Sequence, residues 1–270
     1  MKRPSSVDVV YADLDGTLLG PGGSLFAGEG NRASLRSSTA LVELHDADIE
    51  LVVMSGRTKR SAEVARAFGA SAYIAELGGL LIEWPDHGPE EVVENFGDFP
   101  GDGSPAEVIK ASGAAALLLE GFPGKLRPVA PWAEVSVLFQ GHVATDEAEY
   151  LLETAGFGWL SFADNGRLRR THEDLDVSEV HAYHLLPRGV TKASAVRLHQ
   201  GRHGVEPSRT AAVGDSPADL IVAGEVGAFF LVANGLEQLP TGTHLPGNAS
   251  VTSAARGDGF AEAVEAILAG

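Results

Sequence analysis

Residues Val9-Val10-Tyr11-Ala12 form an apolar strand that empties directly into Asp13-Leu14-Asp15-Gly16-Thr17. Two acids, a glycine and a hydroxyl at the carboxyl end of a strand mark the place where open α/β sheets carry their ligand groups. Strand side chains alternate faces, so Asp13 and Asp15 are expected to reach the same side, with Gly16 letting the backbone turn sharply behind them. Two carboxylates about 4 Å apart repel by roughly 4 kcal/mol at an effective dielectric near 20. Such a pair requires a cation, a shared proton or a positively charged substrate, and a divalent metal is the expected answer.

Three later segments repeat the pattern. Residues 49–54 empty into Ser55-Gly56-Arg57 just before a helical pattern that starts near Thr58. The Ser55 hydroxyl and the Gly56 amide are thereby placed to donate to a phosphoryl oxygen, helped by the positive end of the helix. Thr191 reads as the N-cap of a helix with Lys192 in its first turn. That is the wrong end of a helix dipole for a cation, which gives the lysine a task other than helix stability. Residues 210–213 lead to Gly214-Asp215-Ser216-Pro217-Ala218-Asp219, where Pro217 suits a first helical turn, with Asp215 at or before the cap and Asp219 one turn on. Taken singly, each segment has an ordinary reading as an Asp-rich turn, a helix start or a solvated lysine. Together, Asp13, Asp15, Asp215 and Asp219 supply hard oxygen ligands that describe Mg2+ better than Zn2+.

In this order the four segments resemble the motifs of the haloacid dehalogenase-like phosphohydrolases. The resemblance spans residues 7–82 and 187–270 and includes the family-like stretch Val232-Ala233-Asn234-Gly235. It implies a doubly wound, mostly parallel, Rossmann-like α/β core built from residues 1–82 and 187–270. The long gap falls between the second and third motifs, which implies an inserted α+β cap domain in 83–186 that selects the substrate. Cof-like sugar phosphatases, sucrose-phosphate phosphatase and mannosyl-3-phosphoglycerate phosphatase share that arrangement. Carried over residue by residue, the resemblance makes Asp13 the nucleophile of an aspartyl-phosphate intermediate and Asp15 the general acid and base. Ser55, Gly56 and Lys192 would hold the phosphate; Mg2+ would sit on Asp13, the Asp15 backbone carbonyl and Asp215, with Asp219 in support. The implied activity is Mg2+-dependent hydrolysis of a small phosphorylated metabolite: a sugar phosphate, phosphoglycolate or a glycosyl-phosphoglycerate. The competing reading is a phosphate-binding or phosphoaccepting regulatory protein on the same kind of fold, without efficient turnover. A signalling receiver is shorter and lacks the acid two residues after its phosphoacceptor, the place Asp15 holds here.

Within the middle block, Thr145 reads as the cap of a helix that aligns Ala148, Leu151, Leu152 and Ala155. Residues 134–139 and 157–162 read as strands, and Asp164-Asn165-Gly166 as a hairpin turn leading into 167–171. The expected result is a sheet with helices on one side and its other face over the active site. Arg167, Arg169 and Arg170 are the expected cap contacts to substrate, with Lys125, Arg127 and His172 as further anion candidates. His181 and His184 have a spacing found in metal sites but read as structural, and Trp84, Trp132 and Trp159 read as packing.

A chain of 270 residues that is 44% hydrophobic has room for two cores. Its net charge of −17 argues against a nucleic-acid partner, which needs a basic face. No apolar stretch suits a bilayer span or a signal-peptide core, and the absence of cysteine fits a reducing cytoplasm. A cytoplasmic enzyme with a small-molecule substrate is the expectation.

Overall fold

Every residue of the first strand, β1 (Val9–Asp13), is buried. Val10 and Ala12 face one apolar cluster while Val9 and Tyr11 face another. Period-two alternation here separates two hydrophobic layers, which is possible only in a sheet covered by helices on both sides. The computed structural model describes residues 7–28, 32–85, 88–129, 132–168, 172–240 and 242–270.

After β1 come α1 (Arg36–Asp46), β2 (Glu50–Met54), α2 (Ala62–Ala67), β3 (Ala72–Ala75), β4 (Leu80–Glu83) and β5 (Glu91–Glu94). Then follow α3 (Pro105–Ser112), α4 (Ala114–Gly121), β6 (Leu126–Val129), β7 (Val137–Gly141), α5 (Thr145–Thr154), β8 (Leu160–Leu168) and β9 (Val180–Pro187). The chain closes with α6 (Lys192–His203), β10 (Thr210–Gly214), α7 (Pro217–Leu220), β11 (Ala228–Leu231), β12 (Ala249–Val251) and α8 (Arg256–Ala269).

One sheet has the order β12, β11, β10, β1, β2, β3, β4, β5. Its strands run parallel from β12 to β3, while β4 and β5 are antiparallel additions at the edge. Ala40 and Leu44 of α1, Ala65 of α2, and Phe260 and Val264 of α8 pack on one face, and Ala195 and Val196 of α6 on the other. A second, antiparallel sheet has the order β6, β7, β9, β8. Ile109, Leu118 and Leu152 from its three helices pack on Phe139, Phe162 and Leu185. The fold is thus α/β with a separate antiparallel insert. Among the described residues no helix is long and apolar enough to cross a membrane.

Three local expectations need correction. β5 hydrogen-bonds to β4, so the large sheet continues beyond the border expected at 82/83. Asp164-Asn165-Gly166 is no hairpin turn: β8 runs through it, with a bulge between Asp164 and Arg167 in its pairing with β9. The bulge closes locally, because Asp164 Oδ1 accepts the Gly166 N–H at 2.7 Å, while Asp164 Oδ2 lies 2.7 Å from His181 Nδ1 on the neighbouring strand. Finally, α5 starts from Ala144, which is extended and cannot cap through its side chain; Thr145 is already helical.

Candidate active site

β1 and β10 are neighbours in register, so their carboxyl ends bring Asp13 and Asp215 together from distant parts of the chain. α6 begins beside them. Its start is fixed by a capping box, in which Thr191 Oγ1 accepts the Ser194 N–H and Ser194 Oγ accepts the Thr191 N–H. The next residue, Lys192, is only 1% exposed, and its ammonium donates to Asp13 Oδ1 and Asp219 Oδ1, each at 2.6 Å. The lysine that sat on the wrong end of its helix dipole is there to meet two carboxylates.

Asp219 is held by the turn it closes. Its Oδ2 accepts from Asp215 N, Ser216 N and Ser216 Oγ at 3.2, 3.0 and 2.6 Å. With Lys192 on Oδ1, its carboxylate is an anchor for the lysine and for the loop before α7, and these bonds compete with the supporting metal contact expected from sequence.

Asp13 Oδ2 is buried and has no hydrogen-bond partner, and so is Thr17 Oγ1. Asp215 Oδ2 accepts from Asn234 Nδ2 at 2.8 Å and Gln238 Nε2 at 3.1 Å. One oxygen from each of Asp13, Asp215 and Asp219 lies within 4.8 Å of the others. Three carboxylates facing one ammonium leave the buried cluster over-anionic, and buried polar atoms are otherwise nearly always paired. An unpartnered carboxylate oxygen in such a cluster fits a hard divalent cation. Gly16 is part of the fit: its φ is +89°, and a Cβ there would stand 2.1 Å from Asp215 Oδ2.

The electrostatics follow from the packing. Burial, with Asp219 beside it, lifts the Asp13 carboxyl well above the usual carboxylate range, Lys192 opposing. The same causes push Asp215 up to about 7. Burial works against the charge of Lys192, yet Asp13 and Asp219 outweigh it and hold the ammonium above its ordinary value. For Asp215 the folded state binds more protons than the unfolded chain between about pH 4 and 7. Its contribution to stability is therefore lost as pH rises through that window in the metal-free protein. A cation competing for the same carboxylate gains affinity as pH rises and levels off above about 7. The expected result is a larger rise in melting temperature on adding Mg2+ at about pH 8 than at about pH 5.5, read by calorimetry. Equal shifts at both values would contradict it.

Asp15 turns away from this cluster. Arg57 grips its carboxylate with two donors, Nε to Oδ2 at 2.7 Å and Nη2 to Oδ1 at 2.5 Å, at the edge of a cleft of about 580 Å3. The two acids of the first motif thus have different surroundings. Their expected repulsion is relieved by a guanidinium on one of them rather than by sharing one small volume.

Ser55 is buried and does not itself line the cleft; its Oγ accepts the Arg57 N–H at 3.1 Å. Gly56 lies under the β8 bulge, where an added Cβ would stand 2.2 Å from Asn165 Nδ2. Of the expected cap contacts, Arg167 lines the cleft, whereas Arg169 and Arg170 lie outside the described residues. Lys125, Arg127 and His172 do not line it, and Arg127 is engaged with Asp174 at 3.2 Å. His184 is enclosed beside Ser136, and burial with Lys192 nearby depresses it to about 3, so it is a neutral structural group. Trp84 is buried under Arg66, but Trp132 is 77% exposed with Arg60 over its ring.

Four residues have clear contacts to this region that the sequence did not predict, although Asn234 lies in the family-like stretch Val232-Ala233-Asn234-Gly235. Glu76 reaches from the end of β3 to accept the N–H groups of Glu134, Val135 and Ser136, pinning the chain as it enters β7. Arg256 lines the cleft from the first residue of α8 with a left-handed φ of +54°, a strained conformation for a non-glycine residue. Asn234 bonds both the Gly16 carbonyl and Asp215. Gln238 joins the two sheets: while Nε2 donates to Asp215, Oε1 accepts the Arg167 N–H at 2.7 Å. Gln238→Leu severs both bonds; if the cluster holds a divalent cation through Asp215, supports of this kind are worth about tenfold in affinity. The variant is then expected to bind Mg2+ about tenfold more weakly by calorimetric titration, and an unchanged affinity would refute that role.

The eight-stranded order, the ligand groups at strand ends and the four-stranded insert decide the comparison with known structures. The fold is that of the haloacid dehalogenase-like hydrolases. No protein-family model matches the chain, and no curated protein matches its sequence. Solved structures match it along nearly its whole length. A sucrose-phosphatase from Synechocystis sp., solved with sucrose and phosphate, aligns at TM-score 0.65 and 16% identity over 97% of this chain and 98% of that one. A phosphatase of the same superfamily from Bacteroides thetaiotaomicron aligns at TM-score 0.66 and 18% identity over 99% and 97%. A subclass IIB sugar phosphatase aligns at TM-score 0.63 and 14% identity over 96% and 98%. At these identities the likeness establishes the haloacid dehalogenase-like fold with its cap.

Proposed function

We propose that the chain is a Mg2+-dependent phosphomonoester hydrolase acting on a small phosphorylated metabolite, with a sugar phosphate as the favoured class. The observation that carries this reading is the convergence of Lys192, Asp13 and Asp219 in one buried cluster with Asp215, leaving Asp13 Oδ2 unpartnered. The carboxylates of Asp13 and Asp215 and the backbone carbonyl of Asp15 would hold Mg2+. When bound, Mg2+ supplies positive charge to the phosphoryl oxygens.

The side chains divide the rest of the work. The Asp13 carboxylate attacks phosphorus, and the ester oxygen leaves as the aspartyl-phosphate forms. Asp15 protonates that leaving oxygen, and the resulting carboxylate then takes a proton from the water that cleaves the intermediate. In the substrate-free chain Arg57 holds Asp15 as a carboxylate at the cleft's edge, so Asp15 leaves that ion pair and takes up a proton before it serves as the acid. Lys192, the Ser55 hydroxyl and the Gly56 amide stabilise charge on the transferring group, which is the main task of protein groups in phosphoryl transfer. Arg57, Arg167 and Arg256 line the cleft together with Asp15, Asp215 and Glu237, so an anionic ligand there relies on these guanidinium groups and on a bound cation to offset the acids. The sucrose-phosphatase and sugar phosphatase neighbours favour a phosphorylated sugar among anionic candidates.

A phosphate-release screen over sugar phosphates, phosphoglycolate and glycosyl-phosphoglycerates, with and without Mg2+, tests the proposal. The expected result is Mg2+-dependent release concentrated in one class. A flat response across the panel in both conditions would favour the phosphate-binding reading instead.

A further inference from the structure

We propose that Glu50, Glu83, His199 and His203 form a second metal site, for Zn2+ or a similar transition-metal ion, at the end of α6 remote from Lys192. His199 and His203 are four residues apart on that helix and so share a face, the spacing by which a helix offers two imidazoles to one ion. Their rings lie 4.6 Å apart, centroid to centroid. Two strands bring carboxylates to the same place: Glu83, the last residue of β4, and Glu50, the first of β2. Glu83 Oε1 lies 2.6 Å from His203 Nε2, and Glu50 Oε1 lies 3.5 Å from His199 Nε2. One donor atom from each of Glu83, His199 and His203 falls within 4.8 Å of the other two.

His199 gives the decisive observation. It is fully buried, its Nδ1 lies 2.9 Å from the Tyr11 hydroxyl, and its Nε2 has no hydrogen-bond partner. A buried ring nitrogen without a partner is rare, and a second nitrogen held by an oxygen is the arrangement that orients a metal-ligating histidine. A metal on Nε2 requires the tautomer in which Nδ1–H donates to Tyr11, and the 2.9 Å contact accommodates that tautomer. Hydrogen bonds also fix the two carboxylates, through the oxygen remote from the histidines on Glu83 and through the facing oxygen on Glu50. Glu83 Oε2 accepts from Arg202 Nε at 3.0 Å, leaving Oε1 toward the histidines, and Glu50 Oε1 accepts from Ser71 Oγ at 2.5 Å.

Charge and donor type point the same way. At this cluster two carboxylates, Glu50 and Glu83, meet one guanidinium, Arg202, beside the two imidazoles. A mixed imidazole and carboxylate set selects Zn2+ and its neighbours over Mg2+, unlike the all-carboxylate cluster at Asp13. The physical consequence is structural. α6 buries Lys192, His199 and Gln200 while offering mainly Ala193, Ala195 and Val196 as apolar contacts, so a cation joining it to β2 and β4 would hold the helix that carries Lys192.

The test uses the full-length chain with Asp215→Asn, stripped of metal by a chelator, and titrated with Co2+ and then Zn2+. The expected result is one equivalent of Co2+ with visible d–d absorption, displaced by Zn2+, and a rise in melting temperature of several degrees with either ion. His203→Gln changes a half-exposed residue and His199→Gln the buried one; each is expected to weaken Zn2+ binding by at least about tenfold. Circular dichroism of His203→Gln verifies that the variant is folded. Absence of saturable binding in the Asp215→Asn chain, or binding unchanged by His203→Gln in a folded protein, would overturn the proposal. Neither outcome bears on phosphate release, so this site and the hydrolase reading fail independently.

Discussion

Asp13→Asn is expected to abolish turnover, lowering kcat by at least about 10^4-fold, because the amide neither attacks phosphorus nor carries the charge that Lys192 meets. The substitution is nearly isosteric, so packing around this 5% exposed side chain is preserved. Rapid-quench measurement with 32P-labelled substrate is expected to trap a phosphoenzyme in the native chain and none in the variant. A variant that retains appreciable phosphatase activity in a clean preparation would sink the assignment of Asp13. Loss of turnover with the phosphoenzyme still forming would move the nucleophile elsewhere.

Lys192→Met is expected to have the largest effect on stability. It removes the cation between Asp13 and Asp219 while filling a similar volume, leaving two buried carboxylates uncompensated. Breaking a buried pair from one side costs about 3–5 kcal/mol, roughly a 10 °C fall in melting temperature for a protein of this size. The sign with pH is defined. The folded-state pKa of Lys192 is raised, so its contribution is complete throughout the neutral range and is lost only as pH rises past its unfolded value toward the folded one. In the variant, the orphaned carboxyls regain neutrality by taking up protons, so the loss is expected to be smaller at about pH 5 than at about pH 8. Calorimetry at the two values measures it. A melting temperature within about 2 °C of the native chain at pH 8 would show that the ion triad contributes little.

The strands and their chemical endings were legible in the sequence because both are local. An apolar run followed by acids and glycine states at once where a strand stops and what it delivers, as at Asp13 and Asp215. The helix starts at Thr191 and Pro217 were equally local, since capping and proline chemistry act within one turn; at the latter, the capping side chain proves to be Ser216. The β8 bulge was misread because Asp-Asn-Gly has the same composition in a turn and in a bulge. Only the pairing with β9 distinguishes them. β5 was missed because Glu91–Glu94 is mostly exposed and carries its own acids, an edge strand with no buried face to mark it.

By itself the sequence determined the βα order, the carboxylates at strand ends and the lysine that opens α6, since each rests on neighbouring residues. Tertiary structure alone decided which partners those groups have. Arg57 takes Asp15 out of the acidic cluster, Asp219 is consumed by the turn it closes, and Gln238 ties Asp215 to a cap strand. The physical reason is that hydrogen bonds and charges act over a few ångströms between residues far apart in the chain. Their partners are set by sheet order and strand register, which no local pattern of residues encodes.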